Sequence, residues 1–287
     1  FRRASEFVSL LVERFHLTAE RFVLVPGNHD VQDMDGAYQL RMKPVGDERQ
    51  RAVELKEQGV FLVPHPEMYP RRLKEFSDQF YHPLLQKPYP LDPARQGVAY
   101  IFPETKLQFL TLNSCWEIDQ FHRTRASIHP DALARLIVEA DRQIERAIVN
   151  TDVKPGDYLR IGVWHHPVAD VERGIRNREF LGNLQTNRVR VCLTGDVHEM
   201  RRELIDYWHD DRMHVIGAGS FGSKGQDLSE GSPRLYNLLE IERDFSRIRV
   251  HTRQQPKPNG AWKGWKELPV PPSSTGSPGA SSGRMPS

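Results

Sequence analysis

The chain has 287 residues, enough for one large domain or two small ones, and its 38% hydrophobic content falls in clear runs that can build a sizeable core. A net charge of +2 without a long basic run leaves no strong nucleic-acid signature, and no stretch is long and apolar enough for a membrane-spanning helix. The two cysteines, Cys115 and Cys192, end apolar runs and read as buried thiols rather than a disulfide or a ligand pair.

Phe7, Leu11 and Phe15 recur at helical spacing and predict a helix over residues 4–16. The chain opens on Phe1 with no signal-peptide pattern. The opening reads as a crossover helix whose preceding strand lies upstream, and a cytoplasmic location is the expectation. Phe22 to Val25 predicts a short buried strand that stops at Pro26-Gly27 and delivers Asn28, His29 and Asp30. Residues 31–95 form a long polar insertion of the kind that caps a site, with a helix expected over the charged stretch 47–57 and another over 71–85, where Leu73, Phe76, Phe80 and Leu84 share a face.

A hairpin is predicted from Val98–Phe102 and Leu107–Leu112, with its exit at Asn113-Ser114, which read as turn-capping residues. Pro130 opens a long helix with Leu133, Ile137, Ala140, Ile144 and Ile148 as its inner stripe. Leu159 to Trp164 is a strand that delivers His165; His166 beside it reads as a neighbour of the site or a structural hydrogen-bonder. A short helix near residues 178–185 precedes the strand Val189 to Thr194, which delivers Asp196 and His198. Arg201 and Arg202 read as solvated charges. Further strands are expected at 213–216, 235–241 and 248–252, with a tight glycine turn at 217–219. Residues 1–267 thus form one domain. Residues 268–287, mostly Pro, Ser and Gly, read as a flexible tail or a linker to a further domain.

Three strand exits carry the chemistry. Open α/β sheets place ligands at the carboxyl ends of their strands. Asn28 offers an amide oxygen, His165 and His198 offer imidazole nitrogens, and Asp196 offers a carboxylate. This mixture suits Mn, Fe or Zn better than Ca or a thiolate-seeking metal.

Gly27-Asn28-His29-Asp30, then His165 two residues before a proline, then Gly195-Asp196-Val197-His198 resemble, in that order, the later motif blocks of the calcineurin-like metallophosphoesterases. The resemblance implies two packed mixed β-sheets flanked by helices, with some N-terminal strands missing, and two divalent metal ions, with Mn favoured. It implies Asn28, His165, Asp196 and His198 as ligands. It implies His29 as the general acid toward a phosphoester substrate attacked by metal-bound hydroxide, with Asp30 hydrogen-bonded to His29. Asp196 departs from the family pattern, which has His there; a carboxylate at that position ligates or supports a ligand. The family's Asp-x-His and Gly-Asp blocks do not occur, so the chain as it stands is expected to bind metal weakly and not to turn over. A non-catalytic regulatory or binding module with a degenerate metal site is the alternative from another class, and a nuclease is the alternative within the family.

Overall fold

A computed structural model describes residues 1–46, 48–55, 59–168, 174–197, 201–205, 213–219, 221–222, 233–257 and 259–270. Helix α1 (Arg2–Phe15) ends at His16 in the left-handed conformation, whose backbone N–H caps the Val12 carbonyl. Only Val8 of α1 is buried; Phe7 and Phe15 lie on its more exposed side, so the expected stripe is not the packed one. The insertion contains a small antiparallel sheet of β1 (Tyr38–Arg41), β2 (Val53–Glu54) and β3 (Phe61–Pro64), in the order β1-β3-β2. Its charged stretch supplies one helical turn, Glu48–Arg51. Residues 69–85 are helical throughout but change pitch, with a π-helical turn at Ser77–Tyr81.

The main sheet is built from β4 (Gly97–Phe102), β5 (Leu107–Leu112), β6 (Leu159–Trp164), β7 (Val189–Val197), β8 (Arg201–Ile205) and β9 (Met213–Gly219), in the order β4-β5-β6-β7-β9-β8. Its four central strands are parallel and both edge strands run antiparallel to their neighbours. Helices α2 (Pro130–Ile148) and α3 (Glu179–Thr186) make the crossovers between the parallel strands. A second sheet, β10 (Arg234–Ile241), β11 (Ile248–Gln255) and β12 (Lys263–Val270), is antiparallel throughout. Tight connections return each of its strands beside the last, which makes antiparallel neighbours.

Side-chain alternation along the central strands divides the apolar residues between two cores. Trp164, Cys192 and Val215 face α2 and α3, packing with Leu136, Leu181 and Leu184. Ile161, Val191 and Ile216 face the second sheet, packing with Ile248 and Val250. The fold is a mixed α/β sandwich with helices on one face. Both cysteines are buried and free.

Three further sequence expectations change here. Phe22–Val25 is extended and half-buried but joins no ladder among the described residues, because no neighbouring strand takes up its backbone groups. The buried stripe of α2 is Ala132, Leu133, Leu136, Ala140 and Ile144, with Leu136 rather than Ile137 at its centre. The second sheet gains β12, so regular structure continues to Val270 rather than stopping at 267. Residues 271–287 lie outside the described residues. Among the described residues no helix is long and apolar enough to cross a membrane.

Candidate metal centre

The parallel strands end on one edge of the main sheet, and the polar residues collect there. β6 ends at Trp164, and its regular alternation ends with it. The two residues that follow, His165 and His166, therefore turn toward the same region instead of opposite faces. β7 runs to Val197, but its register with β9 shifts between Thr194 and Val197. Asp196 sits at that shift with φ 49°, in the left-handed region that Asp tolerates better than most residues.

Asn28 lies in a single 3₁₀ turn, Asn28–Asp30, and its Oδ1 is 3.1 Å from His165 Nε2. The same oxygen accepts the His29 backbone N–H at 3.1 Å. Asp196 Oδ1 lies 4.0 Å from His165 Nε2. His165, His166 and Asp196 each offer a ligand atom, all within 4.8 Å of one another. An amide oxygen from the Asn28–Asp30 turn, an imidazole after β6 and a carboxylate near the end of β7 thus lie beside one another. That donor set fits a divalent ion of the Mn, Fe or Zn type. Burial drives the His165 pKa down against the opposing pull of Asp196, which keeps the ring neutral, the form that binds metal.

Two glycines make room for this ring. A Cβ on Gly27 would come within 3.0 Å of the His165 imidazole, and one on Gly195 within 3.2 Å. The Gly195 N–H also donates to the His165 carbonyl at 2.8 Å. The glycines before Asn28 and before Asp196 thus flank one side chain.

Asp30 takes a place different from the one implied. Its Oδ2 accepts the Gly27 N–H at 2.8 Å and closes the turn, and it makes no side-chain hydrogen bond to His29. The backbone N–H three residues back is a nearer donor than the outward-turned ring, and His29 is exposed. Burial raises the Asp30 pKa, partly offset by that backbone hydrogen bond. His198 lies outside the described residues, as do the side chains of Arg201 and Arg202.

Asn113, Ser114 and Cys115, read from the sequence as turn-capping residues and a buried thiol, also support the centre. Ser114 Oγ accepts the His166 backbone N–H at 3.1 Å and is 2.9 Å from its Nδ1. The Cys115 thiol donates to the Pro26 carbonyl at 3.5 Å, and burial pushes its pKa well up. Asn113 donates to Gln96 Oε1 at 2.7 Å and accepts the Cys115 N–H at 2.7 Å. The available signal was positional: Ser114 and Cys115 follow β5, whose exit lies beside that of β6.

The fold and this edge define a mixed α/β sandwich with a group of residues able to hold a metal. No family model matches the chain, and no curated protein matches it. Among solved structures it is similar to wild-type Vps29 from Entamoeba histolytica, crystallised with zinc, at 20% identity over 38% of this chain and 54% of that one, with a TM-score of 0.27. A single mutant of the same Vps29 aligns at 14% identity over 56% of this chain and 98% of that one, with a TM-score of 0.25. The chain thus spans about half the length of the first of these structures.

Proposed function

We propose that this chain carries the ligand side of a divalent-metal centre that hydrolyses phosphomonoesters or phosphodiesters. Asn28, His165, Asp196 and His198 would hold metal, and His29 would donate the proton to the leaving oxygen. The observation that carries this reading is the convergence of Asn28 Oδ1, from the turn after residues 22–25, His165 Nε2, after β6, and Asp196 Oδ1, near the end of β7. His166 joins them as a further donor close to the centre. Two oxygen donors beside imidazole favour Mn. When bound, such ions activate water and neutralise charge on the phosphoryl oxygens.

The chain's own residues do the rest. Asp30 and the Gly27 N–H fix the turn that presents Asn28 inward and the His29 ring outward. An exposed imidazole at the mouth of the centre can meet a phosphoester and give it a proton. The insertion, whose Tyr38, Tyr69 and Arg72 bond to the loop after β5, would wall the substrate space.

One observation favours a second reading, a metal-binding module without turnover: Asp30 is engaged with Gly27, so His29 lacks the orienting carboxylate the hydrolase reading gave it. The test is Mn titration by calorimetry on the chain, with hydrolysis of bis-p-nitrophenyl phosphate measured on the polypeptide that includes any residues encoded upstream of Phe1. His165→Ala should weaken Mn binding by about 10- to 100-fold. His29→Ala should retain Mn and lose about 10²- to 10⁴-fold in turnover. Mn binding without hydrolysis in the unmodified protein would favour the module. Mn affinity unchanged by His165→Ala would overturn both.

A further inference from the structure

We infer that Asp119 is a positioning residue that fastens the 31–95 insertion to the loop supporting the candidate centre, so that the insertion acts as a fixed wall rather than a swinging lid. Asp119 is 2% exposed, in the loop after β5. Its Oδ2 accepts hydroxyls from Tyr38 at 2.5 Å and Tyr69 at 2.6 Å, both from the insertion. Its Oδ1 accepts the backbone N–H groups of Phe121 and His122 at 2.8 and 2.9 Å. One carboxylate therefore joins two chain segments with every bond charge-assisted, the strong kind.

Arg72 completes the fastening. It is 3% exposed, and its guanidinium lies 3.4 Å from the centre of the Tyr69 ring. It donates to the carbonyls of Ile118 and Trp116 in the same loop. Its own carbonyl accepts the N–H of Gln32, two residues beyond Asp30. From Asp119 the path to the centre is short. Ser114 and Cys115 stand at the start of the loop and hold His166 and the Pro26 carbonyl. Pro26 precedes the Gly27–Asp30 turn, and His166 adjoins His165. The loop is thus joined to the insertion through Asp119 and to the centre through Ser114 and Cys115, a chain of hydrogen-bonded contacts able to carry coupling between them.

The fastening is independent of any metal; its effect on an ion rests on the function proposed above. The experiment compares Tyr38→Phe and Asp119→Asn with the unmodified chain, and uses Arg123→Ala as the control. Arg123 also links the loop to the insertion, through Asp33 at 2.6 Å, but at an exposed position. Amide hydrogen exchange is read at Gly27, Cys115 and His166, whose N–H groups are all bonded at the centre. Exchange there should rise by about tenfold in Tyr38→Phe and more in Asp119→Asn, and stay unchanged in the control. Mn affinity should fall by about tenfold in parallel. Faster exchange confined to Phe121 and His122 would overturn the inference, whereas unchanged Mn affinity despite faster exchange at the centre would overturn only its effect on the ion. An unmodified chain that binds no Mn would defeat the metal reading alone, and the exchange measurement would still decide the fastening.

Discussion

The His165 ring is held by absence as much as by contact. It sits between Gly27 and Gly195, where a single added methyl group on either side would press on it at 3.0 to 3.2 Å. Gly27 has φ −102°, a value open to any residue, so a substitution there tests the space and not the backbone. Gly27→Ala should shift the imidazole by a few tenths of an ångström, away from Asn28 or Asp196. Ligand groups displaced in this way lose metal, and the expected cost is about 10- to 100-fold in Mn affinity with little change in thermal midpoint. Calorimetric titration beside a thermal melt checks it; an unchanged affinity would show that the ring is not under that constraint.

Among the elements, the central strands were legible because each is a short Val-, Ile- and Leu-rich run ending in a turn signal. A strand buried on both faces has that composition wherever it sits in the sheet. The residues at their ends were legible for the same reason, which is how His165 and Asp196 could be picked out; Asn28 was picked out on a strand expected at 22–25 that joins no ladder among the described residues. In the insertion the helical stretch 69–85 was legible, but the small sheet was not. β2 has only two residues, and the insertion is held by contacts to a loop some 50 to 80 residues away, those of Tyr38 in β1 and of Tyr69 to Asp119 among them. No local spacing records a hydroxyl that closes on a distant carboxylate. The partner of Asp30 was missed for a related reason: the family resemblance implied His29, while turn geometry offered the Gly27 N–H first. The contact between insertion and loop also carries a pH dependence. Burial acts to raise the Asp119 pKa, but the Tyr38 and Tyr69 hydroxyls and the Phe121 N–H outweigh it and leave the group below its ordinary value of 3.8. A carboxyl whose pKa is lowered by folding stabilises the fold above its unfolded pKa, and the gain is lost as pH falls through the folded value. Asp119→Asn should therefore cost about 1–3 kcal/mol in urea unfolding at pH 6, and the difference should shrink as pH drops below about 4. A difference that stays constant over that range would contradict it.

At the scale of the whole molecule, the main sheet belongs to both cores at once. Ile161 and Trp164 are three residues apart on β6, yet one packs against the second sheet and the other against the helices. Neither layer can leave without exposing one face of the same strands, so the sandwich should unfold as a unit even though the chain is long. Truncations on opposite sides test this. Ile161→Ala empties a position 0% exposed between the sheets, and Leu136→Ala one 1% exposed beneath α2. Each should cost about 2–5 kcal/mol, the range for large-to-small changes in a packed core. In both variants the urea midpoint read by far-ultraviolet circular dichroism should move together with the midpoint read by tryptophan fluorescence, to which the buried Trp164 contributes. If Ile161→Ala instead split the two midpoints while Leu136→Ala moved them together, the second sheet would be melting ahead of the helical layer, and the shared-sheet argument would fail.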